Sequence, residues 1–348
     1  MSVGNTAQHA NRNRIMAVWL FVVAAMVFAM VVLGGVTRLT HSGLSMVEWK
    51  PLTGWLPPFS DADWQILFEK YQAFPEFQKV NADMSLSGFK GIFWLEFLHR
   101  LWGRTIGLAF FLPFVFFLAW GWVRWGLGLK FAAMFVVGGL QGVLGWYMVK
   151  SGLVDRPDVS QYRLAAHLIL ALVIYAYILW VAIQLWHDDD FPAAEGALVP
   201  WSVGLVVLVF VTAFSGALVA GLDAGLTYNT FPLMDGDLVP DGMLEMTPAY
   251  INLFENVTTV QFDHRVLAEV TFLVVILLWF RGRRLAVQGG LSLALNWLMG
   301  LMVMQVTLGI STLLLVVPVP LAAMHQAGAV LLLGAAVWTL REAVGSAN

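Results

Sequence analysis

The sequence predicts an all-α integral membrane protein whose eight transmembrane helices form two pseudo-symmetric four-helix bundles. Three observations carry that expectation. Hydrophobic residues make up 59% of the 348 and charged residues 12%, where a soluble domain carries about 25% charged residues. Long apolar windows without a charge recur along the chain. The second half repeats the pattern of the first.

A bilayer core needs roughly 20 apolar residues per helix. The windows 15–33, 105–123, 131–149, 164–186, 198–222, 291–317 and 319–340 supply seven. An eighth runs from 261 to 280 and is apolar after Arg265 apart from Glu269. The first window is too long and too dense in large residues for a cleaved signal peptide. Short connections carry Arg12 and Arg14, Arg124 and Lys130, Arg281, Arg283 and Arg284, then Arg341. The long segments 34–91 and 223–260 fall on the opposite side, and the second of them has no Lys or Arg. By the positive-inside rule both termini are cytoplasmic and the long segments lie outside. Lys150, Arg156 and Arg163 run against that orientation.

The formal net charge of −3 leaves no basic surface for nucleic acid. With no cysteine, disulfides, thiolate nucleophiles, zinc–thiolate sites, iron–sulfur clusters and covalent haem attachment are excluded.

Gly34 to Ser45 aligns with Gly216 to Thr227 at an offset of 182 residues. Glu96, His99 and Arg100 align with Gln261, His264 and Arg265 at 165, and Gln141 and Gly145 with Gln305 and Gly309 at 164. The stretch ending in His167 resembles the one ending in His325. Four helices per half bring both halves in from the same side, related by a pseudo-twofold along the membrane normal. The domains are therefore 1–190 and 191–348, divided in the charged run around 190.

The repeat duplicates four of the seven histidines: His99, His167, His264 and His325. Each falls near the outer start of its apolar window, so all four share one depth. Polar groups at such depth are expensive and mark function. Two facing imidazoles in a four-helix bundle suit haem iron; copper or zinc is the alternative. His9, His41 and His187 read as solvated tail and loop side chains.

The halves differ at one chemical position. Glu96 shares a helix face with His99 and can exchange a proton in a dry site; Gln261, at the matching place, cannot. The competing reading puts Glu96 in the wet interface near a helix N-terminus. Glu96→Gln is expected to keep size and hydrogen bonding, copying the second half. Arg100 and Arg265 either neutralise haem propionates or snorkel to the interface. Glu269 is a buried proton carrier or a packing-paired acid, and Gln141 and Gln305 bond between helices.

These residues resemble the haem A synthase family. The similar stretches are 34–45 (GGVTRLTHSGLS), 93–100 (FWLEFLHR), 228–235 (YNTFPLMD), 261–265 (QFDHR) and 324–326 (MHQ). The resemblance implies oxidation of the haem O C8 methyl to a formyl group by successive hydroxylation, giving haem A for terminal oxidases. It implies a resident haem b held by His264 and His325 in the second half. His99 and His167 then flank the substrate haem, with Glu96 as the catalytic carboxylate and Arg100 and Arg265 as cofactor-binding cations. It implies a bacterial inner-membrane location, with haem O synthase, oxidase assembly factors and lipid as partners; it names no electron donor. Many bacterial members carry a cysteine pair in an outer loop. This chain has none and resembles the mitochondrial-like subgroup of proteobacteria.

Two other readings use the same residues. A non-catalytic dihaem electron carrier of the b type would favour haem sites near both faces. A haem transporter has no evident use for a carboxylate beside one iron.

Overall fold

Helix dominates wherever the apolar windows fall, and it overruns them. The computed structural model describes residues 3–50, 53–152, 159–187 and 194–345. Arg156 and the expected boundary near 190 lie outside the described residues. The helices are α1 (Val3–Leu39), α2 (Asp61–Gln72), α3 (Pro75–Lys79), α4 (Leu86–Ala119), α5 (Trp125–Gly152), α6 (Gln161–His187), α7 (Val199–Gly221), α8 (Asn252–Glu255), α9 (Val257–Arg284), α10 (Gly289–Leu314) and α11 (Val319–Val344).

Seven of them are long and apolar enough to cross a membrane: α1, α4, α5, α6, α7, α10 and α11. α9 is as long as α5, but Asp263, Arg265 and Glu269 occupy its first half and three arginines its last turn. It is the helix expected as the eighth span. The chain is thus an all-helical, multi-pass membrane protein.

α4 starts well before its apolar window. Ser85 Oγ accepts from Gly88 N and opens the helix there. Its early turns bury Phe89, Phe93, Glu96 and Phe97 against protein. What covers them is a cap that was expected to be loop. Ser60 and Asp63 form a reciprocal capping box at the start of α2. Trp64, Phe68 and Tyr71 then share the buried face of α2. Trp64 meets Phe93 edge-on at 5.0 Å and Tyr71 stacks on Phe89 at 5.2 Å. Such pairs add about 0.5–1.5 kcal/mol beyond their buried area.

The chain divides into two compact units, one of Met1–Phe28 with Leu168–Asn348 and one of Ala29–His167. In the first, α7 packs on α9, α9 on α10, α10 on α11 and α11 on α7, closing a ring of four. In the second, α4 packs on α5 and the cap helix α2 on α4. The segment between α7 and α9 has no comparable cap. It holds 3-10 turns at Ala224–Leu226 and Ala249–Ile251 and the single turn of α8. Asp223, Asp235, Asp237, Asp241, Glu245 and Glu255 are all exposed along it.

Candidate active site

Each of the four repeated histidines rests on a glycine of a neighbouring helix. A Cβ on Gly34 of α1 would lie 3.1 Å from His99 Nε2, and one on Gly145 of α5 would lie 3.1 Å from His167 Cε1. A Cβ on Gly216 of α7 would lie 3.0 Å from His264 Cε1, and one on Gly309 of α10 would lie 2.8 Å from His325 Cε1. A methyl at these four places would press on the imidazole ring, most tightly at Gly309. Gly34 matches Gly216 and Gly145 matches Gly309 at the offsets of the repeat. The seats are therefore duplicated along with the rings.

All four imidazoles are half-buried. His99 and His167 lie within electrostatic reach of each other, as do His264 and His325. None of the four opens its helix: His99 and His264 sit well inside α4 and α9. Gln141 Nε2 donates to the His167 carbonyl at 2.9 Å and ties α5 to α6. Gln305 lies instead against Gly328, its Oε1 buried and unpaired.

The residues beside the histidines form a second duplicated device. In the first half Glu96 is buried, with 2% of its surface exposed, so the wet-interface reading of this residue is wrong. Its Oε2 accepts from the Ser45 hydroxyl and from Met46 N, each at 2.7 Å. Its Oε1 takes the Arg100 guanidinium in a buried ion pair. Arg100 also donates to the carbonyls of Met46 at 2.8 Å and Glu48 at 3.0 Å, and Trp49 covers it with its ring centroid 5.0 Å away.

In the second half Arg265 donates to the carbonyls of Tyr228 at 2.6 Å and Thr230 at 2.9 Å. Those two residues match Met46 and Glu48 at the offset of 182. Gln261 fills the place of Glu96 with reversed polarity. Its Nε2 donates to the carbonyls of Ala224 at 2.8 Å and Thr227 at 2.5 Å, and its Oε1 accepts from Arg265 at 3.3 Å. Tyr228 adopts a left-handed backbone, φ 47°, a conformation that costs a non-glycine residue about 1 kcal/mol or more.

Both arginines thus clamp the segment that follows the first helix of each half onto the histidine helix. Charge-assisted bonds of this kind are worth roughly 1.5–3 kcal/mol each. Sequence reasoning weighed propionates and snorkelling for these cations and did not anticipate backbone carbonyls. It also treated Glu96 and Gln261 as interchangeable in hydrogen bonding. The structure corrects that: Glu96 faces donors and Gln261 faces acceptors.

Two other expectations are revised. Glu269 is exposed on α9, neither a buried carrier nor packed away. His187 ends α6 half-buried, with Nδ1 at 3.1 Å from the Ile183 carbonyl and Nε2 at 3.3 Å from Glu342. Arg104, one helical turn past Arg100, extends the clamp along the same segment by donating to the Lys50 carbonyl at 2.9 Å.

Among the described residues no three His, Asp or Glu side chains converge on a common point; the imidazoles stand in pairs. The paired imidazoles and their glycine seats make a donor set that would hold a haem iron. Arg265 Nε is buried and unpaired, a spare donor of the kind a propionate takes.

Comparison with known proteins gives a consistent result. The family model described as cytochrome oxidase assembly protein matches residues 17–337. A haem A synthase of Nitrosospira multiformis is 55% identical, over 94% of this chain and 92% of its own length. One of Paramagnetospirillum magneticum is 49% identical, over 98% and 97%. Haem A synthase COX15 of Bos taurus is 46% identical, over 95% and 82%.

Proposed function

The chain belongs to the haem A synthase family of cytochrome oxidase assembly proteins, and from that premise we propose how its two halves divide the work. It is an enzyme that oxidises the C8 methyl of haem O to the formyl group of haem A. The duplicated His–Gly seats with unlike neighbours, Glu96 in one half and Gln261 in the other, carry the division.

In our reading residues 191–348 hold a resident haem b through His264 and His325, with Arg265 toward a propionate. That haem supplies a one-electron redox centre. Residues 1–190 bind haem O between His99 and His167. Glu96 lies one helical turn from His99, and Arg100 fixes its carboxylate. Three donors converge on it, so the protein rather than water stabilises its charge. It can take a proton from the substrate side and return it, with the Ser45 hydroxyl as the exchangeable neighbour. The cap of α2 and α3 covers the outer end of α4 and excludes water there.

α9 completes eight spans, with Gln261 and Arg265 of its first half bound to the segment that precedes it. Both termini then lie in the cytoplasm of a bacterial inner membrane, and both histidine pairs lie near the outer face. Haem O synthase and oxidase assembly factors are the partners that deliver substrate and take product.

The test is co-expression with haem O synthase and chromatography of extracted haems. Wild type should yield haem A. His99→Ala should yield none while keeping b-type absorbance, and His264→Ala should lose that absorbance. If His99→Ala lost the b-type haem and His264→Ala kept it, the halves would be assigned the wrong way round.

A further inference from the structure

His264 and His99 occupy matching positions, and one difference between their surroundings is a hydroxyl. Ser215 Oγ lies 2.8 Å from His264 Nδ1 and donates to the Thr212 carbonyl at 2.8 Å, and that carbonyl also lies within hydrogen-bonding reach of the imidazole. A serine hydroxyl has one proton. With that proton given to Thr212, its oxygen is left to accept, so Nδ1 of His264 carries the hydrogen. The chain of bonds then runs one way: Nδ1–H to Ser215, Ser215 to the carbonyl. It fixes the imidazole in the tautomer whose Nε2 lone pair is free.

The device is sheltered and braced. Ser215 is 7% exposed, so water does not compete. Thr212 and Thr271 share a hydrogen bond of 2.9 Å, and Thr271 Oγ1 donates to Leu267 O at 2.6 Å; these join α7 to α9 beside the ring. Gly216, next in the chain, is the seat of the same imidazole. At the offset that matches Gly216 with Gly34, Ser215 matches Leu33. The first half has an aliphatic side chain where the second has the hydroxyl.

We propose that Ser215 is a positioning residue of the resident-haem site: it locks His264 with Nε2 presented as an iron ligand and strengthens that ligand, whereas Leu33 leaves His99 unlocked. The proposal rests on the assignment of the resident haem to His264 and His325. Its logic is that of other metal-bound histidines, where a hydrogen bond at the second nitrogen sets ring orientation and raises basicity. A more basic ligand favours ferric iron and holds the haem more firmly. The substrate half must release its haem after each cycle, and a looser imidazole serves that purpose.

The experiment uses the full-length protein purified in detergent with its haem. Haem per protein and the midpoint potential of the b-type haem are measured for wild type, Ser215→Ala, Ser215→Thr and His264→Ala. Ser215→Ala should bind haem about 10-fold more weakly and shift the midpoint potential upward, and Ser215→Thr should restore both. Unchanged retention and potential in Ser215→Ala would overturn the role of Ser215 and leave the ligand assignment standing. Full b-type haem in His264→Ala would instead overturn the assignment itself.

Discussion

Glu96 and Gln261 stand at matching positions, each paired with an arginine that grips the same two backbone carbonyls of its own half. The arginines do the same work twice. The residues beside them work with opposite polarity: one accepts from a hydroxyl and an amide, the other donates to two carbonyls. The segment being held differs in the same sense. In the first half it turns donors inward and continues into an aromatic helical cap; in the second it turns carbonyls inward and stays irregular. A duplicated scaffold has thus kept its mechanical clamp and changed the chemistry beside one histidine.

The largest effect should come from the histidines themselves. Replacing His264 or His325 with Ala should remove most low-spin b-type absorbance. Replacing His99 or His167 should leave it in place and abolish haem A. Four variants with indistinguishable spectra would erase the distinction between the halves.

A reciprocal exchange tests the polarity of the clamps. Glu96→Gln places an amide among three donors, so one of its NH2 hydrogens must oppose Ser45, Met46 or Arg100. Haem A yield should fall by about 10²-fold or more, with the b-type haem retained. Protease sensitivity at residues 45–48 should rise. Gln261→Glu turns a carboxylate toward the carbonyls of Ala224 and Thr227, destabilising the second half by about 1–3 kcal/mol. The measurements are haem chromatography for the first variant and thermal unfolding for both. If the two exchanges were silent, the hydrogen-bond polarity would have no bearing on either half.

Much of this was legible in the sequence because it was written in side chains. The apolar windows, the four histidines, their glycines and the Glu96/Gln261 contrast are all residue identities at fixed offsets. The clamps were not legible, because the partners of Arg100 and Arg265 are carbonyls, and a carbonyl has no letter. The helical form of the cap was missed for another reason. Ser60 and Asp63 spell a capping box, and Trp64, Phe68 and Tyr71 follow at helical spacing, but α2 is short and lies between prolines that read as loop. The early start of α4 escaped because its first turns bury aromatic residues against protein, a contact that hydropathy windows do not see. α9 shows the opposite limit: its helix is evident, while its charges set it apart from the seven other long helices.

The glycine seats should give a smaller, graded response. Gly309→Ala and Gly216→Ala bring a methyl within 2.8 and 3.0 Å of an imidazole carbon, closer than the 3.1 Å expected for Gly34→Ala and Gly145→Ala. The ring must move, so the first two variants should lower b-type haem content several-fold and broaden its spectrum. The latter two should raise KM for haem O more than they lower kcat. Equal behaviour of all four would mean that the seats only pack helices.

The most local expected effect is confined to the cap and sharpens the contrast between the outer segments. The six acids between α7 and α9 are exposed, whereas Glu76, in the first turn of α3, is 5% exposed. Burial raises its pKa from 4.5 to about 7; Tyr71 opposes the rise by hydrogen bonding and the charge on Glu96 adds to it. Tyr71 itself is held by Asn81, whose Nδ2 donates to the phenol oxygen at 2.8 Å. A carboxyl whose folded-state pKa lies above its unfolded value stabilises the fold below the unfolded value and loses that contribution as pH rises through the folded one. The cap should therefore be most stable below about pH 4.5 as far as Glu76 is concerned, and weaken progressively up to about pH 7. The full swing amounts to roughly 3 kcal/mol. Glu76→Gln keeps the shape, removes the charge and should flatten the profile. Amide exchange of residues 61–81 between pH 5 and 8 reads this directly, since local opening of the cap need not unfold the bundle. Parallel pH profiles for wild type and Glu76→Gln would show that the buried carboxyl does not govern the cap, and the contrast between the outer segments would then be one of shape alone.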